Sequence, residues 1–372
     1  MTSGSVRKWG LIALTVLLVL IVGCLVGFRV GIGILKEKMV EALGSASEIT
    51  AIRVRWSSVE VEGLRIKGQT GWPAAEELWA ERVVVVPSLR SVFSGQFRVH
   101  SMTLVKPYLS ALRTKDGQLL VVPSLPAPSL PPVIIDRITL QDGVVELFDA
   151  TVARPPLKIR LEQIQATVRD VVVPALTGRS RFDLAGVVKG VQRDGRATVA
   201  GWAEIATRDS SVKTQLRSVD LVELQTYLIK VDETGVRKGV LDLDLESDVS
   251  KDKLKAPGKV TISDLELAPA KGAFGTFMGV PRDAVVAFLK HEGNKITVNF
   301  VLAGDINNPQ FSLNEALSTR VAFSLAETLG VSLGGVAKEV GTLGGQGLAA
   351  AGQAVKGAGG ALQRLFGGSK KP

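Results

Sequence analysis

Reactive side chains are scarce in this sequence. Its 372 residues include one cysteine, Cys24, and two histidines, His100 and His291. A lone cysteine excludes a disulfide framework within the chain. Neither histidine has a neighbour at the H-x-x-x-H or C-x-x-C spacings that converge on a metal. No G-x-S-x-G elbow, Walker loop or strand-following G-x-G-x-x-G occurs. The glycine runs near Gly344 and Gly359 lack the Lys-Ser/Thr pair of a phosphate loop. Asp242, Asp244 and Glu246 sit together on one side of a strand-like run. A solvated carboxylate row does not offer the unequal environments that separate an acid from a base. The expectation is a non-enzymatic protein with no catalytic residues, no metal and no cofactor.

Aromatics are also sparse, at 5% of residues. The net charge is +9 and the pI about 9.6. An excess of that sign favours anionic partners such as lipid headgroups or nucleic acid. The basic residues are spread along the whole chain, however, and do not interleave with aromatics as a stacking platform requires. A solvated basic surface accounts for them, and nucleic acid is not an expected partner. Hydrophobic residues reach 46%, ample for a packed core. The length suits two ordinary domains or one elongated one.

The N-terminus carries the longest apolar run. Residues 9–28 hold no charge, and about 20 residues suffice to cross a bilayer as a helix. Trp9 stands where an interfacial aromatic belongs, Leu11, Leu18 and Leu20 lie inside the run, and Phe28 closes it ahead of Arg29. A cleaved signal peptide is one alternative, but its apolar core is shorter and needs a small-residue site that does not follow Phe28. A lipoprotein is another, since Ile21-Val22-Gly23-Cys24 loosely fits a lipobox, although Leu25, Val26 and Phe28 continue the apolar run. An uncleaved anchor is the reading adopted, with residues 1–8 cytoplasmic. Basic residues on both sides of the span leave orientation open by the positive-inside rule.

Beyond a juxtamembrane helical linker over 29–48, the dominant period is two. Leu241, Leu243 and Leu245 alternate with Asp242, Asp244 and Glu246. Ile296, Val298, Phe300 and Leu302 alternate with Thr297, Asn299 and Val301. Phe182 and Leu184 flank Asp183. Such strands wet one face and bury the other, as antiparallel sheets do. Asp116-Gly117, Asp142-Gly143 and Asp194-Gly195 read as hairpin turns.

Short helices interrupt the strands. Asp220 and Glu223 cap one that includes Tyr227 and Leu228. Pro281 opens another that runs to about Leu289 before Gly293. Ser312 and Glu315 form a capping box ahead of an amphipathic helix over 312–333, with Leu313, Leu317, Val321, Leu325 and Leu329 in one stripe.

The Pro-rich stretch 123–132 divides an N-terminal β module, 49–122, from a main sheet region, 133–311. The Gly/Ala-rich segment 334–372 reads as a flexible tail. A weaker alternative for the tail is a membrane or partner contact through Leu348, Val355, Leu362, Leu365 and Phe366.

Three stretches resemble the AsmA-like family of bacterial envelope proteins, especially its short branch related to AsmA and TamB. The first follows the anchor, with Val59 to Ile66, Leu78-Trp79-Ala80, Val83 to Leu89, and Arg98 to Leu109 ending at Asp116-Gly117. The second is Asp220-Leu221 with Tyr227-Leu228 and the strand Leu241 to Glu246. The third, Ile296 to Ala303 followed by Gly304 to Phe311, is the most specific. The resemblance implies an inner-membrane anchor, a periplasmic domain, and an elongated, curled antiparallel sheet with an apolar groove. Membrane phospholipids would be the cargo, and outer-membrane homeostasis the process. Leu241, Leu243, Leu245, Ile296, Val298, Phe300 and Leu302 are the candidate groove lining. The rival expectation is a structural or assembly factor of the envelope that holds other proteins and carries no lipid. On the order of 16 strands stacked ~4.8 Å apart would make a groove of about 75 Å.

Overall fold

Strands built of alternating apolar and polar residues pair edge to edge to satisfy their backbone groups, which gathers the apolar side chains on one face, and this chain pairs almost all of them into one sheet. The computed structural model describes residues 47–88, 97–121, 133–173, 176–228, 234–269, 275–278, 280–291, 293–306 and 313–330. The expected anchor with Cys24, most of the linker, the Pro-rich stretch, Ser312 and the tail lie outside the described residues. Among the described residues no helix is long and apolar enough to cross a membrane.

The strands are β1 (Ser47–Glu48), β2 (Ala51–Val54), β3 (Val59–Lys67), β4 (Glu76–Pro87), β5 (Phe97–Arg113), β6 (Leu119–Val121), β7 (Val133–Asp149) and β8 (Leu157–Val173). They continue as β9 (Ser180–Val188), β10 (Gly195–Glu204), β11 (Asp209–Asp220), β12 (Val236–Ser250), β13 (Lys253–Leu267), β14 (Thr276–Phe277), β15 (Val280–Pro281) and β16 (Lys295–Asp305). Among the described residues the helices are α1 (Leu221–Leu228), α2 (Arg282–His291) and α3 (Leu313–Thr328). The fold is mainly β. Fourteen strands form one sheet in the order β1-β3-β4-β5-β7-β8-β9-β10-β11-β12-β13-β16, with β2 beside β3 and β6 beside β5. β14 and β15 pair separately. Twelve strands therefore lie in line, and at ~4.8 Å spacing the ladder is about 53 Å long, shorter than a count of every strand suggests.

Two expectations are corrected. The sheet is mixed, because β5 and β7 run parallel from Phe97 opposite Val133 to Arg113 opposite Asp149. The turn at Asp116-Gly117, with Gly117 at φ +77°, folds β6 back onto the end of β5. The next long strand then starts at the far end of β5. A parallel pairing needs a connection of about a dozen residues, which 122–132 supplies. The two sides of the Pro-rich stretch thus belong to one sheet.

Asp142-Gly143, in turn, is not a hairpin but lies inside β7. Asp142 takes φ +56°, and its neighbours on either side, Lys106 in β5 and Gln163 in β8, take φ +46° and +52°. The strands kink together at this row, so the chain bends without reversing.

Asp194-Gly195 does connect two antiparallel strands, β9 and β10. The helix starts also match expectation. Asp220 Oδ1 accepts the Val222 N–H at 2.9 Å at the start of α1, and Pro281 immediately precedes α2.

Candidate functional site

The register of the sheet carries single rows of side chains from strand to strand. One row runs Val61, Val83, Leu104, Leu140, Ala166, Leu184, Val199, Thr214, Leu245, Gly258 and Phe300, each the cross-strand partner of the next. It crosses from β3 to β16 with Thr214 as its one polar member. A parallel row of Val59, Val85, Met102, Ile138, Val168 and Phe182 reinforces it. Because successive residues point to opposite faces, the intervening row faces the other side. There Thr103, Thr139, Thr167 and Asp183 are partners, and Lys213 pairs with Glu246 at 3.1 Å. One face is therefore apolar along the ladder and the other is polar.

Burial along the apolar face is uneven. At the β3 end, Val61, Val83, Met102, Ile135 and Val173 belong to one packed cluster. At the β16 end, β12, β13 and β16 form a second cluster with α1, α2 and α3. Between them, over β7 to β11, Leu140, Val168, Phe182, Leu184, Val199 and Val212 are only half-buried. The middle of the face thus presents apolar side chains that neither cluster fully covers.

Helix α1 packs at one end of this middle stretch. Leu224 packs against Val188, Ala197 and Val219. Asp220, 1% exposed, ties the start of the helix by accepting the Gln192 N–H at 2.6 Å as well as that of Val222. Tyr227 ties its end by donating to Asp149 Oδ2 at 2.9 Å. Burial works against the charge of Asp149. Hydrogen bonds from Thr151 and Tyr227 and the nearby Arg113 outweigh it and hold the carboxyl below its ordinary range. The same burial and the Asp149 charge push proton loss from Tyr227 far up, so its hydroxyl remains a donor.

The seven residues proposed as groove lining do come together, in the second cluster. Ile296, Val298, Phe300 and Leu302 are 0–5% exposed and Leu241 is 5% exposed, while Leu243 and Leu245 are half-buried. Helices pack over them, so they stand in a core and not at an open surface. The anchor residues Trp9, Leu11, Leu18, Leu20 and Phe28 lie outside the described residues.

The half-exposed middle rows are the part that sequence reasoning missed. Alternation in β7 to β11 marked each strand singly, but only the register lines their apolar residues up.

The carboxylate row on β12 is structural. Asp242 Oδ1 accepts the Ser218 N–H at 2.7 Å beside the β11 bulge. Asp244 pairs with Arg217, whose hydrogen bond is the main cause of its lowered pKa. His100 lies on the polar face, with Nδ1 3.6 Å from Asp136 Oδ2. Among the described residues no group of three or more His, Cys, Asp or Glu could hold a metal ion.

No family model, no curated protein and no solved structure matches this chain.

Proposed function

We propose that this chain is a membrane-anchored lipid-handling protein, in which residues 9–28 hold the sheet at the inner membrane, the sheet stands in the periplasm, and phospholipid acyl chains lie along the apolar face. The observation that supports this reading is the row from Val61 to Phe300, apolar except at Thr214 and half-exposed at its centre. Acyl chains gain about 0.8 kcal/mol for each methylene removed from water, and a row of β-strand side chains offers them a surface without competing hydrogen-bond demands. The opposite, threonine-rich face meets solvent. A ladder of about 53 Å is too short to cross a bacterial periplasm unaided, so the protein acts locally or with other envelope proteins.

A photo-crosslinking amino acid at Leu184, and separately at its polar-face neighbour Asp183, tests the proposal in cells. Lipid adducts at 184 and none at 183 are expected. Equal labelling of both, or none at 184, removes the lipid reading and leaves a scaffold for envelope proteins.

A further inference from the structure

On the polar face, β4, β5, β7 and β8 surround a depression of about 440 Å³. Trp79 and Tyr108, cross-strand partners, form its wall. Asp142, Glu162 and Gln163 stand at its rim. The kinked row through Lys106, Asp142 and Gln163 interrupts the alternation here, and the consecutive residues Pro107–Tyr108 and Glu162–Gln163 line the same hollow.

A polar network holds the wall. The Tyr108 hydroxyl donates to Glu146 Oε2 at 2.8 Å. Arg160 donates from Nη1 to Glu146 Oε1 at 2.5 Å and from Nε to Glu162 Oε1 at 2.6 Å. Glu146 and Ser110 are 6% and 0% exposed, and Trp72 Nε1 donates to Ser110 Oγ at 2.8 Å. Lys106 is committed to Glu81 at 2.9 Å. Around the hollow, Arg160 Nε and Nη1, Lys106 and the Tyr108 hydroxyl are thus engaged within the protein. The rim offers mainly acceptors, since an ionised carboxylate has about four lone-pair sites and each here uses only some of them.

From this arrangement we infer that the depression is a saccharide-binding site. The flat apolar side of a pyranose matches an aromatic wall, and amphipathic rings suit a ligand that is apolar on one side and polar on the other. Sugar hydroxyls supply the donors that the carboxylate rim lacks. The lining sets Lys106 and Arg160 against Glu76, Asp142 and Glu162, one negative charge in excess, which disfavours an anionic ligand. The volume lies within the roughly 300–1,000 Å³ usual for small-ligand sites. A proline-rich peptide also uses aromatic grooves, but proline has no backbone N–H to donate, so it leaves the carboxylate acceptors of the rim unserved. This site lies on the face opposite the apolar row and does not depend on the lipid proposal.

Saturation-transfer NMR on the full chain in a sugar-free detergent, lauryldimethylamine oxide, tests it. The probes are maltotetraose, cellotetraose and chitotetraose, with decaproline as the competing class. Saturation of at least one sugar is expected, with affinity reduced at least ten-fold in Trp79→Ala. Should thermal melting show that Trp79→Ala does not fold, Glu162→Gln, which keeps the shape of the side chain, is read in its place with at least a three-fold loss expected. No transfer to any of the three sugars, transfer to decaproline alone, or sugar binding unchanged by the folded variant overturns the inference.

Discussion

The Tyr227 hydroxyl bonds Asp149 Oδ2 at 2.9 Å, joining α1 to the end of β7 across 78 residues of sequence. Asp149 is held below its ordinary pKa, so the folded chain binds its proton less readily than the unfolded chain. Its contribution to stability is therefore present above the unfolded carboxylate value of about 4 and is lost as pH falls through the lower folded value. Urea denaturation across pH 7 to 3 should show stability falling below about pH 4, with a smaller fall in Asp149→Asn. Tyr227→Phe should cost about 1.5–3 kcal/mol near neutrality, the usual range for one hydrogen bond to a charged group. A slope identical in wild type and Asp149→Asn would mean that this carboxylate is not the linked group.

Gly258 and Phe300 test how tightly the second cluster is packed. A β-carbon on Gly258 would collide with the Phe300 ring, with Cε2 at 2.8 Å, and would stand 3.0 Å from Leu245 Cδ1. Gly258→Ala should destabilise by about 1–3 kcal/mol, as overpacking does. Phe300→Leu in the same chain should recover part of that loss. A double-mutant cycle by chemical denaturation measures the coupling, and strict additivity would show that the ring moves aside freely.

Residues 9–28 are long and apolar enough to hold the chain in a bilayer as an uncleaved helix. Membranes washed with alkaline carbonate should retain the chain, and intact mass should include Met1 or the residue that follows it. A mass that begins at Cys24 with added acyl groups would establish a lipoprotein in place of a transmembrane helix.

Period-two alternation made the strands legible one at a time, and the starts of α1 and α2 were legible through Asp220 and Pro281. Pairing was less so. The parallel β5–β7 ladder depends on where β6 leaves the chain, which no local pattern encodes. Asp142-Gly143 has the composition of a tight turn, and only the matching kinks at Lys106 and Gln163 show why the strand continues. The strongest alternation, Ile296 to Leu302, marked a strand whose apolar face is buried, because helices cover it. The shorter alternation of Phe182, Leu184 and Val199 marked the half-buried part of the face, because a strand's own pattern does not say what packs over it.

That difference decides where a charge can be tolerated. Phe300 is 5% exposed among packed apolar side chains, so Phe300→Asp buries a carboxylate with no partner. The cost is several kcal/mol, enough to unfold a domain of ordinary stability. Leu184 occupies the same cross-strand row but is half-buried over the middle of the sheet, where water reaches the side chain. Leu184→Asp should therefore fold, losing about 1–2 kcal/mol of apolar burial, while placing a charge in the path proposed for acyl chains. Thermal melting of both variants, together with phospholipid mass spectrometry of material purified from membranes, separates the outcomes. An unfolded Phe300→Asp with a folded, lipid-poor Leu184→Asp supports an open apolar surface at the centre and a sealed core at the β16 end. If Leu184→Asp unfolds as readily as Phe300→Asp, the middle of the face is core as well. If it folds and keeps its lipid, the acyl chains do not lie along this row.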